Sequence, residues 1–301
     1  MTTDQLKAII EPKLPSNPVV ISTGPLLGLG DHMLATTLPE RFAKLGFDVY
    51  LDQDNATSNP EIHELLWARN PYVKGTSDKK PNAGYAVWGA FYEIANRLPG
   101  YRSIEAMERA HGLPPPYSIA PKIYYEPQPF HLDLSGTVLL DFSAVSSAIG
   151  LRGIQEAVHM MNSKFRNAPY LQVLHPKHVV LHTPAIQAPA YSVQSIFEYM
   201  DMLAACRAWV GSEAGGQALA AAVRGEHDVY DEEARPEVVV TSTPRTWNSR
   251  GYTFRGVDYR VSADCEHAND YHRPVEIEVL KYSNVCAIRK AEMAERLNGR
   301  G

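Results

Sequence analysis

The sequence predicts an α/β protein: two Rossmann-like domains in tandem that face each other across a cleft. Three observations predict it. Short β-rich apolar runs alternate with helical runs; each half carries a glycine-rich turn directly after such a run; and a proline-rich stretch separates the halves. Alternation of strand and helix is the pattern of parallel sheets. Such sheets bind ligands at the carboxyl ends of their strands, so the space between two of them is where a site belongs.

The elements follow in order. Residues 19–22 (VVIS) form a strand, GPLLGLG a turn, and 31–44 a helix apart from Pro39; Gly46 resets the chain for a strand over 47–52. In NPEIHELLWARNPYV, Ile62, Leu65, Leu66 and Trp67 share one helical face, stopped by Asn70-Pro71. The stretch LPPPYSIAPKIYYEPQP, 113–129, cannot hold a helix and reads as extended linker. Strands follow at 137–143, 178–183, 208–212 and 236–242, with helices at 153–165, 192–206 and 213–223 between them. An alanine- and charge-rich helix closes the chain at 284–296. The expected organisation is an acceptor-side domain over 1–122, a linker over 123–133, a donor-binding domain over 134–283, and a terminal segment, 284–301, that crosses back to the first domain.

Composition bounds the function. The chain has 301 residues, 45% hydrophobic and 21% charged, with a formal charge of −5. That is globular composition and excludes general disorder. The acidic balance offers no overall electrostatic help toward nucleic acid. Cys206, Cys265 and Cys286 are odd in number and widely spaced, which makes no disulfide framework and fits a reducing compartment. The first eighteen residues lack the apolar core of a signal peptide, and no apolar run approaches the roughly 18 residues of a membrane span. A cytoplasmic protein is expected.

The first turn, GLGDHM at 28–33, is not a dinucleotide fingerprint, because Met33 stands where the third glycine belongs; it has no lysine for a P-loop. A helix N-terminus stabilises Asp31 as an anion, and a phosphate beside that carboxylate would be repelled. The turn therefore reads as a device that presents Asp31, with Gly28, Leu29, Gly30 and His32 forming an acceptor-side loop; simple helix capping by Asp31 is the competing reading. The second turn, SEAGGQALAAAV at 212–223, opens a helix with Gly215 and Gly216. Free N–H groups and absent β-carbons let a phosphate approach, with Ala214 and Gln217 alongside, and Glu213 can accept from ribose hydroxyls. Close helix–sheet packing through Gly and Ala is the alternative there.

Taken together, GLGDHMLATTLPERF (28–42), NPEIHELLWARNPYVKG (59–75) and WVGSEAGGQALAAAV (209–223) resemble the family 9, heptosyltransferase-like glycosyltransferases of the GT-B fold. The resemblance implies that Asp31 is the general base on an acceptor hydroxyl and that Glu213, Gly215 and Gly216 hold the donor nucleotide. The chain departs from the family at Ala218, where many members carry His, and at Glu213, where Asp is commoner. Arg152 is the lone cation of the loop DFSAVSSAIGLRG, which also holds Ser143. The expected reaction moves a sugar from a nucleotide-diphosphate sugar with inversion. It needs a base for the acceptor proton and a holder for the leaving diphosphate. A metal-independent enzyme without a cofactor is expected, its diphosphate held by helix N-termini and cations.

Arg245, Arg250 and Arg255 lie on one loop, and Arg245 is the donor-side candidate. His182, at a predicted strand end, is a further one. Asp264, Cys265, His267, Asp270 and His272 crowd one segment without matching a standard metal spacing, so no metal ligand is assigned. Tyr85 and Trp88 offer stacking surfaces, whereas Trp67 and Trp209 read as core. The acceptor is a saccharide, a lipid-linked sugar or a hydroxymethylated base in DNA, which leaves peripheral membrane or DNA contact open. A non-catalytic sugar- or nucleotide-binding module and a nucleotide-sugar epimerase are the rival classes.

Overall fold

The structure is a computed structural model that describes residues 13–24, 28–55, 60–97, 103–142, 159, 162, 164–175, 188–212, 215–224, 237–242 and 258–261. The strands and helices called on below are β1 (Val19–Ser22), α1 (Leu29–Met33), α2 (Leu38–Lys44), β2 (Val49–Asp52), α3 (Pro60–His63), β3 (Thr76–Ser77), β4 (Ala83–Gly84), α4 (Trp88–Arg97), α5 (Ser103–Ala110), β5 (Val138–Asp141), β6 (Tyr170–Leu174), β7 (Ala190–Ser192), α6 (Ile196–Ala205), β8 (Ala208–Ser212), α7 (Gly215–Arg224), β9 (Glu237–Ser242) and β10 (Asp258–Val261). They build two all-parallel sheets, one in the order β3-β2-β1-β4 and one in the order β10-β9-β8-β5-β6-β7.

Each sheet has its central strand buried on both faces, as helix-covered parallel strands require. Val19, Val20 and Ile21 of β1 are fully buried, as are Val138 and Leu139 of β5. Phe42, Trp67 and Phe91 pack from α2, the wide helical turn Glu64–Ala68 and α4 onto the first sheet. The helix expected over 31–44 is two helices, because residues 34–37 form turns between α1 and α2. Pro39 sits in the first turn of α2, where its missing N–H has no intrahelical partner to lose. Strands β3, β4, β6, β7 and β10 escaped the sequence reading. Three of them span only two or three residues, too few for a period to show, and β6 is interrupted by Gln172, whose buried amide donates to the Ala188 carbonyl at 3.0 Å.

The proline-rich stretch has neither strand nor helix from Leu113 to Gly136 and runs between helices of the two sheets. The Lys122 N–H donates to Thr36 Oγ1 at 3.0 Å, and the Tyr124 hydroxyl donates to Glu40 at 2.9 Å. Further on, the Tyr125 hydroxyl and the Gln128 N–H both donate to Asp201 Oδ1 of α6, at 2.8 and 2.7 Å. Glu40 is held down to about 2: partial burial works against its charge, but Lys122, Lys44 and the Tyr124 hydroxyl outweigh it. A direct tie joins the helices as well, since Glu61 accepts the Ile196 N–H that opens α6, at 2.9 Å. No helix among the described residues is long and apolar enough to cross a membrane. The terminal helix expected over 284–296 lies outside the described residues.

Candidate functional site

Both glycine turns sit at carboxyl ends of parallel strands, the first after β1 and the second after β8. In the first, Gly28 is the extended residue that precedes α1, and Asp31 is the third residue of the helix. The N-cap position is Gly28 itself, which makes no side-chain cap bond, and Asp31 stands inside the first turn. Its carboxylate folds back over Gly28: a β-carbon there would stand 2.9 Å from Asp31 Oδ2. The glycine makes room for the chain's own acid, and Asp31 stays half-buried at the strand end.

His32 points the other way and is completely buried. The Trp67 indole N–H donates to His32 Nδ1 at 3.1 Å, so that nitrogen carries no proton and the imidazole is neutral. Its Nε2 faces Thr23 Oγ1 at 3.5 Å, and the Thr23 hydroxyl donates to Asn55 Oδ1 at 2.6 Å. The Thr23 N–H donates to the same oxygen at 2.9 Å. One polar chain thus links the loops after β1 and β2 to the helix that carries Asp31. From this buried position the His32 side chain braces the turn. Tyr85 lies on Gly24, whose φ of +63° suits a residue without a side chain, and is 37% exposed; its ring centroid is 5.5 Å from that of the half-buried Trp88.

At the second turn the missing β-carbons are used by protein. A β-carbon on Gly215 would come 2.8 Å from the Leu29 side chain of α1, and one on Gly216 would come 2.9 Å from Asp141 Oδ2 and 3.1 Å from the Tyr199 hydroxyl. A β-carbon on Gly30 would lie 3.9 Å from Gly215 Cα, so the helix that carries Asp31 packs directly on α7. Gln217 and Ala218 are buried in α7. Glu213, Ala214, Ser143, Arg152, His182 and Arg245 lie outside the described residues, as does the 264–272 segment.

Beneath Gly216 is a constellation that sequence reasoning missed. The Tyr199 hydroxyl donates to Asp141 Oδ2 at 2.6 Å and accepts from the Trp209 indole N–H at 2.8 Å. His175 Nε2 reaches the same carboxylate oxygen at 3.1 Å. Asp141 ends β5, His175 follows β6, Tyr199 lies on α6 and Trp209 on β8. Burial raises the Tyr199 pKa first and the Asp141 carboxylate adds to that, so the phenol keeps its proton. Burial opposes a charge on His175, yet the Asp141 carboxylate outweighs it and the net shift is upward. The findable signal was Asp141, an acid closing the apolar run VLL at a strand's carboxyl end. His175 was hidden because β6 was not recognised. Trp67 and Trp209 are core, as expected, and both use their N–H groups.

No protein-family model matches the chain, and no curated protein does. Solved structures do. The dodecameric, iron-containing glycosyltransferase TibC of enterotoxigenic E. coli H10407 superposes with a TM-score of 0.55 at 18% identity, over 96% of this chain and 78% of that one. TibC in complex with ADP-D-β-D-heptose gives 0.51 at 14%, over 95% and 78%. A family 9 glycosyltransferase of Veillonella parvula gives 0.53 at 10%, over 94% of this chain and 98% of its own. These are the proteins that the sequence resemblance points to. They also correct one expectation: TibC contains iron, so an enzyme of this fold does carry a metal, and the expectation of a metal-independent protein without a cofactor is not kept. Among the described residues no group of three or more His, Cys, Asp or Glu side chains could hold such an ion. The chain has the two-sheet α/β fold of the family 9, heptosyltransferase-like glycosyltransferases.

Proposed function

We propose that this chain is a glycosyltransferase that moves a sugar from a nucleotide-diphosphate sugar to an acceptor hydroxyl. The observation that carries the reading is the packing of α1 on α7 at Gly30 and Gly215, which sets Asp31 beside the second glycine turn. One strand end supplies a carboxylate and the other supplies the N-terminus of a ten-residue helix, the end whose dipole favours an anion. A base for the acceptor and a seat for the leaving diphosphate are what a direct, inverting displacement needs.

In this reading Asp31 Oδ2 accepts the acceptor's proton as its oxygen attacks the anomeric carbon, and the bond to the diphosphate breaks toward α7. Glu213 holds the ribose, and Arg152, Arg245, Ser143 and His182 line the donor side. The two sheets are tandem Rossmann-like domains joined through the 123–133 linker. A nucleotide-sugar donor is supported by TibC, which is solved with ADP-D-β-D-heptose. The acceptor is a saccharide or a glycolipid.

The test is a thermal-shift screen against ADP, UDP, GDP and CMP and their sugars, followed by assay of nucleotide release with sugar acceptors. A single nucleoside diphosphate should raise the melting temperature, because ligand bound only to the native state stabilises it by mass action. Asp31→Asn should keep that shift and lose transfer. Absence of any shift at millimolar ligand overturns the reading.

A further inference from the structure

Tyr85 follows β4, which pairs with β1 through Ser22 and Gly84, so the tyrosine stands at the same carboxyl edge of the first sheet as the turn that presents Asp31. It is held there from both strands. Gly84 has a φ of +71°, and a β-carbon on it would collide with the Ser22 carbonyl oxygen; its N–H donates to the buried His111 Nε2 at 2.8 Å. From the β1 side the Gly24 N–H donates to Ser22 Oγ at 2.9 Å. A β-carbon on Gly24 would lie 2.5, 2.6 and 3.1 Å from Cδ1, Cγ and Cδ2 of Tyr85. Three neighbouring ring carbons are met at such similar distances only from above the ring plane. One face of the phenol is therefore seated on backbone, and the exposed 37% of the residue is on the other side. The Trp88 centroid is 5.5 Å from that of Tyr85, and the buried Phe91 is 5.0 Å beyond Trp88. The surface ring is the outer member of an aromatic series that ends in the core.

A lone exposed apolar side chain is ordinary. A ring fixed by two glycines, beside the strand end that carries the base, is a stacking surface. Its own helix leaves it open: Ala86 and Gly89 are small and exposed, and a β-carbon on Gly89 would meet nothing within 4 Å. The connection from β1 to α1 also touches both halves of the site, with Gly24 under Tyr85 at one end and Leu29 against Gly215 at the other. We propose that Tyr85, backed by Trp88, is the acceptor subsite and takes a neutral saccharide, one pyranose ring lying on the phenol. The face of an aromatic ring is negative, and the C–H face of a pyranose is weakly positive and apolar, with its hydroxyls around the rim. Stacking therefore leaves a rim hydroxyl free to meet Asp31. Donor and acceptor are held by different sheets, the diphosphate at α7 and the saccharide at β4. The inference rests on the glycosyltransferase reading above and gives it an acceptor seat.

The experiment is saturation-transfer difference NMR with the methyl pyranosides of glucose, galactose and mannose, in the presence of the nucleoside diphosphate that stabilises the parent. Four proteins are compared: the parent, Tyr85→Phe, Tyr85→Ala and Gly89→Leu. Residue 89 follows Tyr85 by four positions in one helical run, and helical side chains lean toward the N-terminus, so a leucine there enters open space and covers the ring. It replaces a poor helix former with a good one, so this block costs the fold nothing. At least one pyranoside should receive saturation on its C–H protons in the parent and in Tyr85→Phe, and bind about tenfold more weakly to Tyr85→Ala and Gly89→Leu. In transfer assays those two variants should raise the acceptor KM by about the same factor and leave the donor KM within twofold of the parent. A purely structural Tyr85 predicts instead that Gly89→Leu, with the ring still in place, binds pyranosides as the parent does, and that result overturns the proposal. Parental pyranoside affinity in a folded Tyr85→Ala overturns it too. So does a parent that binds a nucleoside diphosphate but no pyranoside, including one that binds a hydroxymethylated cytosine nucleoside in its place. A parent stabilised by no nucleoside diphosphate overturns the glycosyltransferase reading itself.

Discussion

The two glycine turns look alike in sequence and differ in what their glycines are for. In the first, Gly28 clears space for Asp31 of its own helix, and the carboxylate is the product of the turn. In the second, Gly215 and Gly216 clear space for side chains from four other elements: Leu29 of α1, Asp141 of β5, Tyr199 of α6 and Trp209 of β8. A missing β-carbon therefore marks close approach but does not say by what. The histidines divide along the same line. His32 and His111, in the first sheet's layer, accept N–H groups and are neutral. His175 faces a carboxylate, which raises its pKa against the opposing effect of burial. Burial alone does not set the protonation state; the partner does.

The largest effect expected from breaking this contrast is on turnover. Asp31→Asn should lower kcat by about 10²–10⁴, the range of a lost general base, with nucleotide affinity within twofold of the parent. Steady-state kinetics with a fixed donor tests it, and a variant of undiminished kcat would make Asp31 a structural residue.

Acid stability sharpens the histidine comparison. Burial lowers His111 to about 4, against an ordinary 6.5, while its Nδ1–H donation to the Met107 carbonyl works the other way. The unfolded chain then binds the proton first, so this contribution is fully present above pH 6.5 and is lost as pH falls toward 4, to a total of about 3 kcal/mol. Urea unfolding at stepped pH should show that slope, and His111→Gln should flatten it.

Gly216→Ala should cost about 2 kcal/mol of stability, because the atoms it meets are buried and hydrogen-bonded on three sides. Trp67→Phe should cost a similar or slightly smaller amount, about 1–2 kcal/mol, by leaving His32 Nδ1 buried without its donor. The smallest effect belongs to Gly215→Ala, about 1 kcal/mol, since Leu29 is a flexible side chain on the neighbouring helix. Leu29→Ala should rescue Gly215→Ala and leave Gly216→Ala unchanged, a coupling read by chemical denaturation of the two double variants. Equal rescue of both would erase the distinction between the turns.

Much of this was legible before any coordinates. The strand–turn–helix rhythm announced parallel sheets, because buried parallel strands need continuous apolar runs and crossovers long enough for a helix. The first turn could be read as a presenter of Asp31 because the acid, its glycine and its helix are neighbours in the chain. What was not legible was anything assembled across it. Asp141, His175, Tyr199 and Trp209 lie 34, 24 and 10 residues apart in chain order, and each alone is unremarkable: an acid at a strand end, a histidine just after an unrecognised strand, a helix tyrosine, a core tryptophan. Nothing local distinguishes His32, which accepts an indole N–H, from His175, which faces a carboxylate. The sequence by itself determined the alternating architecture and the placement of one carboxylate, since both follow from short-range pattern and chirality. Only the tertiary structure decided which buried groups share a proton and which glycines are spoken for, because those depend on distances between strands that the chain order does not encode.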